Sequence, residues 1–325
     1  MQLDISERKL LNLVQAEFPL TIEPFADLAQ HLGIDTEEVI QKIKKLKEMR
    51  IIRLIGPVID SRSLGFHSTL VAMEVAEANL DKAEEVIANH TGVSHGYERD
   101  HRFNVWFTLA LPPTHDIGTE LKELIQSTGA EIAFSLQALK VFKIGAYFDM
   151  DENEQTILAA QRKNVLTEQL ELSNADRRII NELQQDLALE PEPFSEMAER
   201  VGMDTEQFLA GCRSLQERGI IRRFSASINH RNAGFTANAM SCWEAPSVTI
   251  EVVGQKLASL KEVSHCYQRD TNRHWRYNLF AMIHGHSREQ CQSIVDNISA
   301  ETRLNRYILL YSTREFKKTR VKYLV

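Results

Sequence analysis

The chain has 325 residues, 43% of them hydrophobic and 26% charged, which suits about two to four compact domains of ordinary composition. Its 38 Lys and Arg against 45 Asp and Glu give a formal charge of −7, the wrong global sign for a nucleic-acid binder. No apolar run is long enough to span a membrane, and the opening MQLDISERKL lacks the hydrophobic stretch of a secretory signal. The four cysteines, Cys212, Cys242, Cys266 and Cys291, include no C-x-x-C pair. The expectation is a cytoplasmic protein with free thiols and neither a zinc site nor a disulfide frame.

Three short helical patterns come first. Leu10, Leu11 and Val14 share one face; Phe25, Leu28, Ala29 and Leu32 share the next. Gly33 breaks the chain before a third helix carrying Val39, Ile43 and Leu46, with Asp35 and Glu38 spaced as a capping box. Ile51 and Ile52 then read as a short wing strand, which completes a winged helix-turn-helix pattern. Strands and helices alternate from there: a strand over Ser68 to Val75, a helix over Leu80 to Asn89, and a hairpin of Val93 to Arg99 with Phe103 to Leu111. A helix over Ile117 to Ser127 and strand character over Ile132 to Phe148 follow. The order β-α-β-β-α-β is that of a ferredoxin-like sandwich, whose helix-free sheet face is open to another sheet or to a ligand.

The same unit then returns. A shift of 169 residues lays Pro24-Phe25 on Pro193-Phe194, Gly33 on Gly202, Ile51-Ile52-Arg53 on Ile220-Ile221-Arg222, and Gly65-Phe66 on Gly234-Phe235. Asp204 with Gln207 repeats the capping spacing. The fold class expected is α+β, with two tandem units, each a winged helix-turn-helix followed by a ferredoxin-like domain. The boundaries expected are 1–60 and 61–150 for the first unit and 172–229 and 230–325 for the second. A partly helical linker, 151–171, has no counterpart inside the unit.

The most closely repeated stretch is VSHGYERD, Val93 to Asp100, which returns as VSHCYQRD from Val263 to Asp270 with six of eight positions identical. Strand periodicity puts His95, Tyr97 and Arg99 on one face, and His265, Tyr267 and Arg269 likewise. An imidazole, a phenol and a guanidinium make a poor core layer, since each needs a partner or water. They suit a carboxylate-rich ligand that needs both positive charge and a proton donor; a cross-strand polar ladder on a solvated face is the other reading. Beyond Asp270 the second copy carries four extra residues, inside the hairpin loop.

A winged helix-turn-helix followed by a ferredoxin-like domain resembles the Lrp/AsnC regulators, a family that dimerises through its sheets and binds small effectors near the sheet interface. The hairpins HGYERDHRFNVWFTL and HCYQRDTNRHWRYNLFAMIHG are more specifically similar to the siroheme decarboxylases. That family has the Lrp/AsnC architecture, and its two related subunits carry an H-x-F-N-x-W-F-T-type and a W-x-Y-N-L-F-A-type hairpin respectively. Here both stand in one chain, as in a fusion, and the resemblance covers essentially everything outside the linker.

The resemblance implies siroheme as substrate and loss of carbon dioxide from its ring C and ring D acetates, in haem or haem d1 formation. It implies an internal pseudo-dimer, with further homo-oligomerisation open, and no cofactor beyond the substrate's own iron. Arginines must then hold the retained carboxylates, and an acid must protonate the carbon that loses carbon dioxide, a role that suits histidine. His95, His101 and His265 are the candidate proton donors, with His101 favoured at the hairpin tip. Tyr97, Arg99, Trp106, Tyr267, Arg269, Arg273, His274, Trp275 and Arg276 are the candidate binding residues, the two tryptophans by stacking on the macrocycle and Trp106 equally readable as core. His284 and His286 read as loop histidines. No dedicated metal site is expected. DNA binding is not expected either, because Asp35, Glu37, Glu38, Asp204 and Glu206 occupy the starts of both recognition helices, where phosphate calls for cations. A regulator sensing a carboxylate or tetrapyrrole, and a haem chaperone, are the alternative readings.

Overall fold

The structure is a computed structural model that describes residues 3–145, 170–229 and 237–323. The expected linker, except its last two residues, and the Gly234-Phe235 repeat lie outside the described residues. In chain order the first half contains α1 (Ile5–Ala16), α2 (Pro24–Leu32), α3 (Thr36–Glu48), β1 (Ile52–Ile59), β2 (His67–Glu74), α4 (Leu80–Asn89), β3 (Val93–Arg99), β4 (Val105–Leu111), α5 (Ile117–Thr128) and β5 (Ile132–Ile144). The second contains α6 (Asn174–Leu183), α7 (Pro193–Arg200), α8 (Thr205–Glu217), β6 (Ile221–Ile228), β7 (Ala237–Trp243), α9 (Ile250–Ser259), β8 (Val263–Arg269), β9 (Leu279–Gly285), α10 (Arg288–Thr302) and β10 (Tyr307–Lys318). The chain divides into two compact units, one from the described parts of Met1–Leu64 and Tyr147–Gly234 with Tyr323, the other from those of Gly65–Ala146 and Phe235–Lys322. No helix among the described residues is long and apolar enough to cross a membrane.

The first unit joins both helix-turn-helix motifs. Gly33 and Gly202 have φ of 67° and 69°, the left-handed conformation a glycine adopts without a Cβ penalty, and each follows the middle helix of its motif. The capping boxes form two helices earlier than expected, at the first helix of each motif rather than the third. Asp4 pairs reciprocally with Glu7 at α1, and Ser173 with Asp176 at α6, whereas the Asp35 side chain makes no capping bond and Asp204 accepts only from the Gln207 amide. The wings also differ from expectation. Each motif contributes one eight-residue strand, and β1 pairs antiparallel with β6 in a two-stranded sheet. Each strand thus finds its hydrogen-bond partner in the other half of the chain. Phe18 adds to this junction, its amide donating to the Phe224 carbonyl at 2.8 Å and its ring lying 6.0 Å from that of Phe224.

Most of the cations on and beside the two recognition helices have partners within this unit, although Lys44 stays exposed. Lys42 bridges Asp4 and Glu38, Lys45 binds Glu7, and Lys47 binds Asp186 at 2.8 Å. Arg213 donates to the Leu20 carbonyl at 3.1 Å, and Arg218 binds Asp176 at 3.0 Å.

The second unit is a closed barrel with strand order β10-β3-β4-β2-β5-β8-β9-β7. The closure comes from the long last strand of each half. Residues 132–137 of β5 pair with β2 of their own half, and from Ala138 to Ile144 the strand pairs with β8 of the other. In β10, Tyr307–Tyr311 pair with β7, and from Ser312 to Lys318 with β3. The helix-free faces of the two sandwiches therefore become one barrel interior. Strands covered on both sides carry apolar residues on both faces. In β4, Val105, Phe107 and Leu109 pack against the first half's helices, while Trp106 packs inward with Ala72, Phe134, Leu136, Met240, Cys242, Trp275, Phe280 and Leu310.

With acids at the starts of α3 and α8 and most of their cations engaged, no sequence-specific duplex binding is expected at physiological salt. Fluorescence anisotropy against a pool of defined duplexes checks this, and submicromolar affinity for any one site would overturn it.

Candidate active site

The repeated motif lies on β3 and β8, and a β-bulge decides where its side chains point. The register slips between Val93 and His95, and again between Val263 and His265. Val93 and Val263 pack in the helix-side cores. Two residues on they would share that face with His95 and His265, but the bulges at Ser94 and Ser264 turn the histidines to the other side. Gly96 fixes the parity from there, since a Cβ at that position would come within 2.8 Å of Ile87 on α4. His95, Tyr97 and Arg99 accordingly run along the inner wall, as strand periodicity predicts. The second column is more tightly stacked: the His265 and Tyr267 rings lie 6.2 Å apart and nearly parallel, and Arg269 sits 4.7 Å over Tyr267.

Arg99 and Arg269 are buried, and burial holds both guanidiniums below their usual pKa. Neither has a carboxylate partner within salt-bridge distance among the described residues. Instead Arg99 Nη1 donates to the Leu310 carbonyl and Arg269 Nη1 to the Leu136 carbonyl, each at 2.8 Å. Leu136 and Leu310 stand just before the points where β5 and β10 pass from one sheet to the other. Each arginine therefore ties the opposite half's strand at its crossing, and each has a buried Nε with no acceptor.

Past these arginines the two hairpin tips meet. Asn104 and Asn278, the shared asparagines of the two motifs, brace them: the Asn104 amide bonds both the amide and the carbonyl of Val75, and that of Asn278 does the same to Ala245. The longer second hairpin folds inward. Trp275 is buried, with its ring 4.9 Å from Trp106 and 5.1 Å from Tyr277. Trp106 is enclosed, its Nε1–H donating to the Phe103 carbonyl at 2.6 Å. Both tryptophans thus pack as core.

Over Trp275 opens a cleft of about 200 Å³, lined by His101, Phe103, Asn272, Arg273, His274, Trp275, Arg276 and Tyr277. Its polar groups are mostly donors. The Phe103 amide donates to His101 Nδ1 at 3.0 Å, which leaves the neutral ring's proton on Nε2. Burial lowers the His101 pKa. Arg273 Nε donates to His274 Nε2 at 3.0 Å, which puts that ring's proton on Nδ1. Asn272 Oδ1 is already taken by the His274 and Trp275 amides. Arg273 and Arg276 are exposed; Arg276 lies 3.6 Å from Glu244, and Trp275 Nε1 is buried without an acceptor.

The structure thus brings His101, Arg273, His274, Trp275 and Arg276 together. His95 and His265 stand apart, four residues from the arginines and towards the other end of the barrel, about 13 Å at ~3.3 Å per residue. Sequence reasoning missed Phe103, Asn272, Asn278 and Tyr277. The shared Asn of the two hairpin motifs was the available signal for Asn278. No group of three or more His, Cys, Asp or Glu able to hold a metal ion occurs among the described residues.

A helix-turn-helix pair joined to a ligand-binding barrel of this design defines the AsnC-like class. Residues 63–143 and 232–317 match the AsnC-like ligand binding domain, and residues 7–53 and 176–222 the siroheme decarboxylase NirDL-like HTH domain. The chain is 41% identical over 319 residues to a siroheme decarboxylase of Hydrogenobacter thermophilus, covering 97% of this chain and 94% of that protein. A siroheme decarboxylase beta subunit of Methanosarcina barkeri is 39% identical over 151 residues, 46% of this chain and 99% of that one. Among solved structures, siroheme decarboxylase NirDL in complex with an iron-uroporphyrin III analogue superposes with a TM-score of 0.74 at 37% identity, covering 98% of this chain and 95% of that one. The chain belongs to the siroheme decarboxylase family.

Removing either buried arginine strands a carbonyl at a strand crossing and loses a hydrogen bond from a charged donor, worth about 1.5–3 kcal/mol. Arg99→Ala and Arg269→Ala are each expected to lower unfolding free energy by about that much, read by urea titration. Unchanged midpoints for both would show that the crossings hold without them.

Proposed function

We propose that the protein removes carbon dioxide from the ring C and ring D acetates of siroheme, giving the didecarboxylated macrocycle for haem or haem d1 formation, in the cytoplasm. The observation that carries this reading is the cleft at the hairpin tips. Two guanidiniums and two imidazole N–H groups converge there, and the one amide oxygen among them is already occupied. Such a lining recognises an anion with several carboxylates. The Trp275 Nε1–H is part of the same argument. A buried donor without an acceptor costs about 1–3 kcal/mol, which a substrate carboxylate would relieve.

In this reading Arg273 and Arg276 hold carboxylates that are not lost. Arg99 and Arg269, buried beneath the tips, add positive potential. As the carbon–carboxyl bond breaks, its electron pair passes into the conjugated macrocycle, and carbon then takes a proton from the Nε2 of protonated His101, which ends neutral. Because one hairpin supplies His101 and the other Arg273 and Arg276, a single half would lack one component.

Purified protein given siroheme without oxygen is expected to yield products lighter by one and then two carbon dioxide masses. Tight binding with no mass loss would instead select the chaperone. His101→Ala is expected to slow decarboxylation about a hundredfold, the lower range for a lost general acid, with siroheme binding by absorbance nearly intact; Arg273→Ala is expected to weaken binding. Normal turnover by His101→Ala would move the acid elsewhere.

The pH dependence has a definite sign. The active form of a donor is protonated, so kcat/KM falls as pH rises through the His101 pKa. Burial lowers that pKa, so the midpoint of the fall is expected below the ordinary histidine value of about 6.5. A midpoint above it, or the same limb in His101→Ala, would count against His101.

A further inference from the structure

The barrel carries a second group of imidazoles, away from the hairpin tips, and its two halves differ there. In both halves a bulge serine lies against the ring of the following histidine: Ser94 Oγ is 2.9 Å from His95 Nδ1, and Ser264 Oγ is 2.9 Å from His265 Nδ1. In both, the serine is buried, and its carbonyl accepts from the end of the other half's last strand, Thr319 for Ser94 and Gly145 for Ser264. The symmetry ends at the next contact. Ser264 Oγ also lies 2.7 Å from Nε2 of His284, a buried histidine on β9. The residue that corresponds to His284 in the first half is Ala110 on β4, which has no polar side chain. The second half therefore holds a continuous chain, His284 Nε2 to Ser264 Oγ to His265 Nδ1, and His265 Nε2 at its far end completes a path for a proton. In the first half Ala110 cannot extend the chain beyond Ser94 in this way.

Resting on the decarboxylase reading, we propose that Ser264 and His284 form a proton relay behind His265, so that the second half protonates the carbon left by one of the two acetates. When the carbon–carboxyl bond breaks and carbon dioxide leaves, the electron pair remains with the carbon and macrocycle. His265 gives that carbon its Nε2 proton and takes the hydroxyl proton of Ser264 at Nδ1. Ser264 takes the Nε2 proton of His284, which enters as imidazolium and ends neutral. His265 ends neutral in the other tautomer, with its proton on Nδ1, and the net proton given to carbon is made good by the one His284 loses. His265 is the group that meets substrate; Ser264 and His284 act through it. His95 has the serine but an alanine, Ala110, at the position of His284.

The test follows siroheme, its mono- and its didecarboxylated products by mass spectrometry over time, without oxygen, with siroheme affinity measured by absorbance. In His284→Ala and Ser264→Ala one of the two carbon dioxide losses is expected to slow about a hundredfold, the scale of an interrupted acid–base step. The monodecarboxylated species then accumulates, or siroheme persists, while affinity is unchanged. His284→Gln distinguishes a relay from a merely orienting contact. Its amide still donates to Ser264 but cannot pass a proton on, so it is expected to stay as slow as His284→Ala. Wild-type rates in the alanine variants, or full rescue by His284→Gln, would overturn the relay. Should His284→Ala fail to fold, His284→Gln and Ser264→Ala decide the matter. Absence of any carbon dioxide loss in the unaltered protein would instead sink the decarboxylase reading itself.

Discussion

The crossing of β5 and β10 from their own sheets into those of the opposite half is the constraint on which the barrel depends. A four-stranded ferredoxin-like sheet with helices on one side leaves its other face uncovered and its edges unpaired. Lengthening the last strand solves both problems at once. The first part of each long strand completes its own sheet, the second satisfies the edge of the other, and the two bare faces become one interior. Arg99 and Arg269 belong to this joint as much as to any site. A buried guanidinium costs several kcal/mol in desolvation, and here each offsets part of that cost on a carbonyl of the strand that crosses.

Duplication supplied the joint, and divergence within it supplied the site. Nine residues in place of five between the hairpin strands let the second hairpin carry Trp275 down onto Trp106 and leave Arg273, His274 and Arg276 around its mouth. Two identical short hairpins would have presented two copies of His101 and no such insert. The same divergence acts on β9, where His284 stands in place of the first half's alanine. A chain containing both copies can specialise each while guaranteeing that they meet. In the helix-turn-helix pair, Lys42, Lys45, Lys47, Arg213 and Arg218 are likewise engaged by carboxylates and a carbonyl of the same chain.

Much was legible beforehand because it depends on local periodicity and on repetition. Helix faces such as Leu10-Leu11-Val14, the β-α-β-β-α-β order and the 169-residue repeat are properties of short windows or of the chain compared with itself. His95, Tyr97 and Arg99 share a face for the same reason. The misplaced capping box is instructive: spacing allowed one at Asp35 and Glu38, but spacing does not say which of several acidic or hydroxyl residues near a helix start turns its side chain to the free amides. Asp4 and Ser173 do so.

What the sequence determined by itself is the set of elements, the internal duplication and the residue types needed to bind and protonate a polycarboxylate, since these follow from the order of side chains along the backbone. Tertiary structure alone decided which of those side chains meet. A strand's partner is set by edges and faces distant in the chain, so neither the pairing of β1 with β6 nor the barrel could be read from either half. For the same reason Arg99 and Arg269 proved buried at strand crossings, and His101 shares a cleft with Arg273 while His95 and His265 lie towards the other end. The bulges at Ser94 and Ser264 are the finest case. A single residue's slip in register turns each histidine to the face away from the helices, and only the partner strand defines that slip.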